Sequence, residues 1–209
     1  YHQNEEDIWV MTHYENSNIY EAFLVTQTGV SPTSVKSGVG PTFTSSHGDI
    51  KFNQQGNKVG AVVQDQDLIT LADFNNFTGK VSNSNGIIGA YNSPHGCEFS
   101  ASGNKFYVTA WGNSGGVIQF NVSNNNSTTL SVGETNISSG FKPHGSLQLA
   151  PNGKIYIAHD PSLFSSASYL GVINFPSNSG LSAGFVKNGI YLGSNGSSWE
   201  LPNATLTNN

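Results

Sequence analysis

Three stretches decide the fold. His47–Val63 reads HGDIKFNQQGNKVGAVV, His95–Trp111 reads HGCEFSASGNKFYVTAW and His144–His159 reads HGSLQLAPNGKIYIAH. The His-Gly pairs recur 48 and 49 residues apart. Each pair leads into a short alternating run, then a Gly-containing turn (Gln55-Gly56-Asn57, Ser102-Gly103-Asn104, Asn152-Gly153-Lys154), then a second run. Side chains alternate faces along a strand, so the alternation reads as β. Asn-Gly or Gly-Asn between two such runs is a hairpin signal, because those residues tolerate positive φ.

The unit extends outward in both directions. A degenerate copy opens the chain with His2, 45 residues before His47, followed by Asp7–His13. Third strands are predicted at Ile19–Val25, Leu68–Phe74, Val117–Val122 and Leu170–Phe175. Fourth strands are predicted at Ser34–Val39, Ile87–Tyr91, Thr129–Val132 and Gly189–Leu192. Four strands in each of several repeats is the signature of a β-propeller. A single blade has two apolar faces and cannot bury them alone; stacking blades buries both. The chain is therefore read as all-β, with units over residues 2–46, 47–94, 95–143 and 144–198 and a closing strand at 199–209. A β-sandwich is the alternative, and it leaves the recurrence of the turn with the His-Gly pair unexplained. The chain starts at Tyr1, not Met, which reads as a processed N-terminus or a piece of something longer.

Composition narrows the function. Asp, Glu, Lys and Arg make up 10% of the 209 residues, and the net charge is −5. Eight Lys plus Arg are too few for a phosphate-binding footprint, so nucleic acid is excluded as a partner. No apolar run is long enough to span a membrane as a helix. One cysteine, Cys97, permits no intrachain disulfide. The abundance of Asn, Ser and Thr leans toward an extracellular setting. Seven Asn-x-Ser/Thr triplets are close to what that abundance yields at random, and they carry no argument for glycosylation.

Six histidines are the most suggestive chemistry. His47, His95 and His144 hold one place in three units, near the axis of a propeller. Rotational repetition offers them to one ion such as Zn²⁺. The simpler reading has each ring tying one blade to the next by a hydrogen bond. His13 and His159 end second strands and, with Trp111, are candidates for a ligand-binding face; solvated loop positions are the simpler reading. Cys97 stands two residues after His95, on the same strand face. A Cys-His pair can supply a thiolate, but a free Cys more often fills an apolar position. Asp65 and Asp67 offer oxygens to Ca²⁺, or form a tight acidic turn. Trp9, Trp111 and Trp199 with Tyr14 and Tyr20 serve either sugar stacking or inter-blade packing. There is no Gly-x-Ser-x-Gly elbow and no phosphate loop. The preferred reading has no cofactor and no catalytic residue.

The order of motifs resembles a known family. Asp7-Ile8-Trp9-Val10-Met11-Thr12-His13 is similar to a "DyWvvtH" signature. Thr28-Gly29-Val30 and Val39-Gly40 follow, then His95-Gly96 with Glu98-Phe99-Ser100, then Leu147–Ala158, Gly171–Pro176 and Leu201-Pro202-Asn203. This series resembles the propeller regions of large Bacteroidetes cell-surface proteins, exported by the type IX secretion system and often ending in a gliding-motility-associated C-terminal sorting domain. It departs at Glu200, where the family has Gly, and at Phe175-Pro176, where it has Asn-Pro. The residues given include no sorting domain. The resemblance implies the C-terminal part of a larger, about seven-bladed propeller, because the family carries blades before the signature. It also implies an extracellular or cell-surface location. The partners it implies are the secretion machinery, other surface proteins or glycans, and the remaining blades. The function expected is adhesion, protein or glycan binding, or scaffolding, without catalysis. The alternatives are a metal-dependent propeller hydrolase or lactonase, and a structural subunit of an extracellular assembly.

Overall fold

The computed structural model describes residues 1–112, 115–122, 130, 134–138, 140–141, 145–158 and 167–202. They form four antiparallel sheets of four strands each, in chain order. Blade 1 holds β1 (Ile8–His13), β2 (Ser17–Thr26), β3 (Gly29–Val30) and β4 (Val35–Phe43). Blade 2 holds β5 (Gly48–Phe52), β6 (Lys58–Val63), β7 (Leu68–Asn75) and β8 (Lys80–Ile88). Blade 3 holds β9 (Pro94–Phe99), β10 (Lys105–Ala110), β11 (Gly116–Asn121) and β12 (Thr135–Asn136). Blade 4 holds β13 (Leu147–Leu149), β14 (Ile155–Ile157), β15 (Tyr169–Ile173) and β16 (Phe185–Tyr191). Blades 2, 3 and 4 are meanders in which each strand pairs with the next. This is the β-propeller architecture expected from the repeat.

The hairpin turns behave as the sequence predicts. Gly56, Gly103 and Gly153 sit at φ +64°, +69° and +76°, a region costly for any residue with a Cβ. Asn53 Oδ1 accepts the N–H groups of Asn57 (3.0 Å) and Lys58 (2.9 Å). Ser100 Oγ takes the N–H of Lys105 at 3.1 Å. A lysine follows each turn; Lys58 Nζ meets Asp73 of β7 at 3.2 Å, and Lys154 Nζ donates to Asn174, just past β15, at 2.7 Å.

Burial follows blade position. Every residue of β6 and β10 is buried, whereas β1 alternates exposed and half-buried. A strand with blades on both sides reads as a continuous apolar run. Three cores result, one per blade junction. Tyr20, Phe43, Val63, Leu68 and Phe74 fill the first, with Trp9 packed on it. Val62, Ile69, Cys97, Phe99, Phe106 and Phe120 fill the second, and Tyr107, Leu147, Ile155, Ile157 and Ile173 the third. Gly60 lets blades 2 and 3 close: a Cβ there would lie 2.4 Å from the Phe106 ring. Among the described residues no such core joins blade 4 to blade 1. Val10 (47% exposed) on β1 and Ile190 (41%) on β16 remain open to solvent.

Several expectations need correction. Blade 1 has three strand positions, since β3 and β4 both flank β2 opposite β1. β1 enters the sheet as second strands do in the other blades, so among the described residues blade 1 has no innermost strand. His2 instead lies over blade 2, its Nε2 3.2 Å from Phe77 O. The fourth strand of blade 2 is Lys80–Ile88 rather than Ile87–Tyr91. Asn75 Oδ1 accepts the N–H groups of Phe77 and Thr78 (3.1 and 3.0 Å), closing the turn early. The strand predicted at Thr129–Val132 lies outside the described residues apart from buried Leu130. No helix among the described residues is long and apolar enough to cross a membrane.

Candidate functional site

The innermost strands β5, β9 and β13 bring one set of side chains into equivalent register. Lys51 pairs with Gly60, Glu98 with Tyr107 and Gln148 with Tyr156. Each partner stands two residues after the lysine that follows the turn, so Lys51, Glu98 and Gln148 are counterparts in three successive blades. Alignment on the His-Gly pairs conceals this. Unit three has one residue fewer between its His-Gly pair and its turn, so Gly96, opposite Thr109, stands where Asp49, opposite Val62, stands in blade 2. A signal was present in the sequence: aligned on the turns, the three positions coincide.

These side chains stitch the blades together. Lys51 Nζ donates to Gln148 Oε1 at 3.3 Å, from blade 2 to blade 4. Glu98 is 5% exposed. Its Oε1 accepts Phe99 N–H at 2.8 Å and its Oε2 accepts Leu149 N–H at 2.9 Å. Burial pushes the Glu98 carboxyl up to about 7; the two amides and the nearby Lys51 charge oppose the shift without cancelling it. Asp49 is also raised, chiefly by burial, with Lys51 and the Cys97 N–H (3.3 Å from Oδ2) acting the other way. Cys97 is fully buried, its Sγ 3.8 Å from the carbonyl oxygens of Asp49 and Gly60. Burial first, and then the Asp49 charge, holds its thiol well above the usual range. A thiol so placed is protonated at neutral pH, and it fills the blade 2–blade 3 core.

The histidines predicted to share an axial place do different things. His95 bridges three segments. Its Nδ1 lies 2.8 Å from Gln64 Oε1 of blade 2, its Nε2 lies 3.0 Å from Glu200 Oε1, and its ring meets Trp199 edge-on at 5.5 Å. Residues 199–201 also clasp the start of β13: Trp199 O accepts Ser146 N–H at 2.8 Å and Leu201 N–H donates to Ser146 Oγ at 2.6 Å. His47 is exposed and pairs with Asp65 at 2.9 Å; Ser45 Oγ donates to the same carboxylate oxygen at 2.8 Å. Asp67 points elsewhere and accepts the Ser93 N–H, so Gln64–Asp67 is a tight turn with its two carboxylates apart. His144 and His159 lie outside the described residues. Among the described residues no three His, Cys, Asp or Glu side chains converge as metal ligands. The His47–Asp65 and His95–Glu200 pairs each supply two, one short of a catalytic Zn²⁺ site.

Of the residues considered for a ligand face, His159 lies outside the described residues, and the others have different surroundings. Trp111 is 37% exposed. Trp9 packs between blades, donating from Nε1 to Asn76 O at 2.8 Å. Tyr20 is buried in the first core. His13 is half-buried, stacked on Phe43 with ring centroids 3.6 Å apart and met edge-on by Tyr20 at 4.5 Å. Its Nδ1 lies 2.8 Å from Tyr14 O. That contact requires the proton on Nδ1 and leaves Nε2 an acceptor. Burial lowers the His13 pKa, so the ring is neutral at pH 7. Beside it, between blades 1 and 2, lies a pocket of about 180 Å³.

Solved structures share this backbone path. A functionally unknown protein from Desulfotomaculum acetoxidans is similar at TM-score 0.60 and 19% identity, over 92% of this chain and 56% of that one. The dihydro-heme d1 dehydrogenase NirN is similar at TM-score 0.50 and 12% identity, over 91% of this chain and 37% of that one. A 6-phosphogluconolactonase-like protein of Bacteroides uniformis is similar at TM-score 0.48 and 18% identity, over 90% of this chain and 57% of that one. NirN is a β-propeller. The fold is a β-propeller. The chain spans about half the length of the two bacterial structures it matches, and less of NirN. No family model and no curated protein matches the sequence. At these identities the likeness describes the path of the backbone and not the chemistry on it.

Proposed function

We propose that the chain is a non-catalytic β-propeller module of a secreted or cell-surface bacterial protein, exported by the type IX secretion system. In this reading it displays rigid loops for recognition of a glycan or protein. One observation carries it: the groups best suited to chemistry are sealed within the blades. Cys97 is 0% exposed and Glu98 5%, and both Glu98 oxygens are held by backbone amides. The exposed ends of the blades present Tyr14, His47 and Trp111 on short loops over a rigid scaffold, the usual place for recognition. The motif order Asp7–His13 through Leu201-Pro202-Asn203 supports the export route. Glycan and extracellular-protein arrays probed with the purified chain test recognition. A specific, saturable hit is expected, and blank arrays would leave only a spacer role. Export is tested by deleting type IX secretion genes in the host; the parent protein is then expected to disappear from the cell surface.

One observation favours a second reading, a propeller hydrolase or lactonase. Glu98, with its carboxyl pushed up to about 7 and Lys51 close by, has the properties of an acid–base group. Under that reading Glu98→Gln abolishes turnover on a lactone and ester panel. Under the preferred reading the panel shows no turnover from either protein.

A further inference from the structure

Blade 1 keeps the turn of an inner hairpin while β1 stands open on its inner side. His2 N–H donates to Asp7 O at 2.8 Å. The same bond closes the inner hairpin of every other blade: Asn53 to Lys58 at 3.1 Å, Ser100 to Lys105 at 3.0 Å and Ala150 to Lys154 at 2.9 Å. Among the described residues, however, β1 pairs with β2 alone. Tyr14 N–H donates to Ile19 O at 3.0 Å. Bonding alternates along an antiparallel pair, so Val10 and Thr12 also turn their amides to β2, and Trp9 and Met11 turn theirs to the open edge. The strand, IWVMTH, holds no Lys, Asp, Glu or Pro, the residues that guard edges meant to stay unpaired.

Burial points to the same place. Ile50 and Phe52 of β5 pack on the core between blades 1 and 2 but stay half-buried. Their counterparts by register are sealed: Cys97 and Phe99 are 0% and 1% exposed, Leu147 and Leu149 0% and 3%. Those two strands each have the innermost strand of the preceding blade beside them. Asp49 of β5 accepts the Cys97 N–H, and Glu98 of β9 accepts the Leu149 N–H. β5 has no such neighbour among the described residues. The pocket of about 180 Å³ lies here, lined by His13 of β1 and by Gly48, Asp49 and Ile50 of β5.

We infer that the polypeptide directly ahead of Tyr1 is the innermost strand of blade 1. It runs antiparallel to β1, takes up the amides of Trp9 and Met11, and covers Ile50 and Phe52. Counted back from the turn, Tyr1 holds the place of Phe52, Phe99 and Leu149. The residue two places ahead of Tyr1 holds the place of Ile50, Cys97 and Leu147. All six counterparts are apolar, so that residue is apolar as well. This inference goes beyond the recognition reading and stands or falls without it.

Amide exchange followed by NMR tests it. The 209-residue chain is compared with the same chain extended ahead of Tyr1 by Gly-Ser-Leu-Gln, the residues at 145–148 of blade 4. In the extended chain, exchange at Trp9 and Met11 is expected to slow at least tenfold, while Val10 and Thr12 keep their rates. The same extension with Asp in place of Leu is expected to lose most of that slowing. In the native protein, sequencing across Tyr1 is expected to show an apolar residue two places ahead of it. Exchange unchanged by the extension overturns the inference, as does a native polypeptide that starts at Tyr1 or carries a charge at that place. Edge amides already as slow as Val10 and Thr12 in the dilute 209-residue chain would assign the edge to residues 203–209. Edge amides that slow with concentration as much as with the extension would assign it to a second copy. Either result also overturns the inference.

Discussion

Glu98 shows how one side chain couples ionisation to the fold. Its carboxyl is pushed from 4.5 to about 7 by burial. The native state therefore holds a proton that the unfolded chain releases. Its contribution to stability is complete below pH 4.5, declines as the unfolded chain ionises, and is lost as pH rises through about 7. A shift of this size corresponds to on the order of 3 kcal/mol. Glu98→Gln is expected to flatten the pH dependence of the melting temperature between pH 4.5 and 7, and a fall as steep as wild type would show that another group titrates there. Tyr107 is the polar counterpart in the third core. Its hydroxyl donates to Pro176 O at 2.7 Å and lies 2.6 Å from Gln119 Nε2. Tyr107→Phe strands both partners and is expected to cost about 1–3 kcal/mol in urea unfolding. Neither role is visible in the sequence, where Glu98 reads as one of few acids and Tyr107 as one aromatic in a strand.

At the scale of the element, the blade repeat was legible because its signals are local. The turn glycines, the alternation and the lysine after each turn all act within about a dozen residues. What escaped was register. One residue fewer between His95-Gly96 and its turn makes the His-Gly alignment the wrong one for side-chain positions, because register decides which face each residue takes. The Asx turn at Asn75 moved a strand for the same kind of reason: its side-chain hydrogen bonds turn the chain straight after β7 and let β8 start at Lys80, ahead of the predicted Ile87. Packing between elements is equally demanding. Gly60→Ala places a methyl against the Phe106 ring and is expected to destabilise by about 1–3 kcal/mol, as overpacked cores do. Phe106→Leu in the same chain should recover part of that loss. No recovery would mean that the glycine is needed for its backbone rather than for its space.

At the scale of the molecule, the two end blades differ from the two central ones. β6 and β10 are buried along their whole length, and β1 on one side only. Ile8 and Val10 on blade 1, and Val186 and Ile190 on blade 4, face solvent, and among the described residues β1 carries no strand on its inner edge. Exposed apolar faces and open strand edges promote association. The 209-residue chain is therefore expected to self-associate with rising concentration in analytical ultracentrifugation. Val10→Lys with Ile190→Lys should raise the monomer fraction severalfold. A chain that stays monomeric to millimolar concentration would show that these faces are not adhesive.

The amino-acid sequence by itself determined the blade: its strands, its turn and its period of nearly fifty residues. Each of these depends on backbone preference and side-chain alternation over short distances. It also placed Cys97 and Trp9 between blades, because apolar residues on a two-sided strand have nowhere else to go. The tertiary structure alone decided which residues meet. Lys51, Glu98 and Gln148 stand 47 and 50 positions apart, yet they share one level across three blades. His95 reaches Glu200 across 105 positions. The pocket beside His13 exists only because the ends of β1, β4 and β6 meet the start of β5. Such meetings depend on register and on blade-to-blade packing, and both are summed over many weak contacts that no short stretch of sequence encodes.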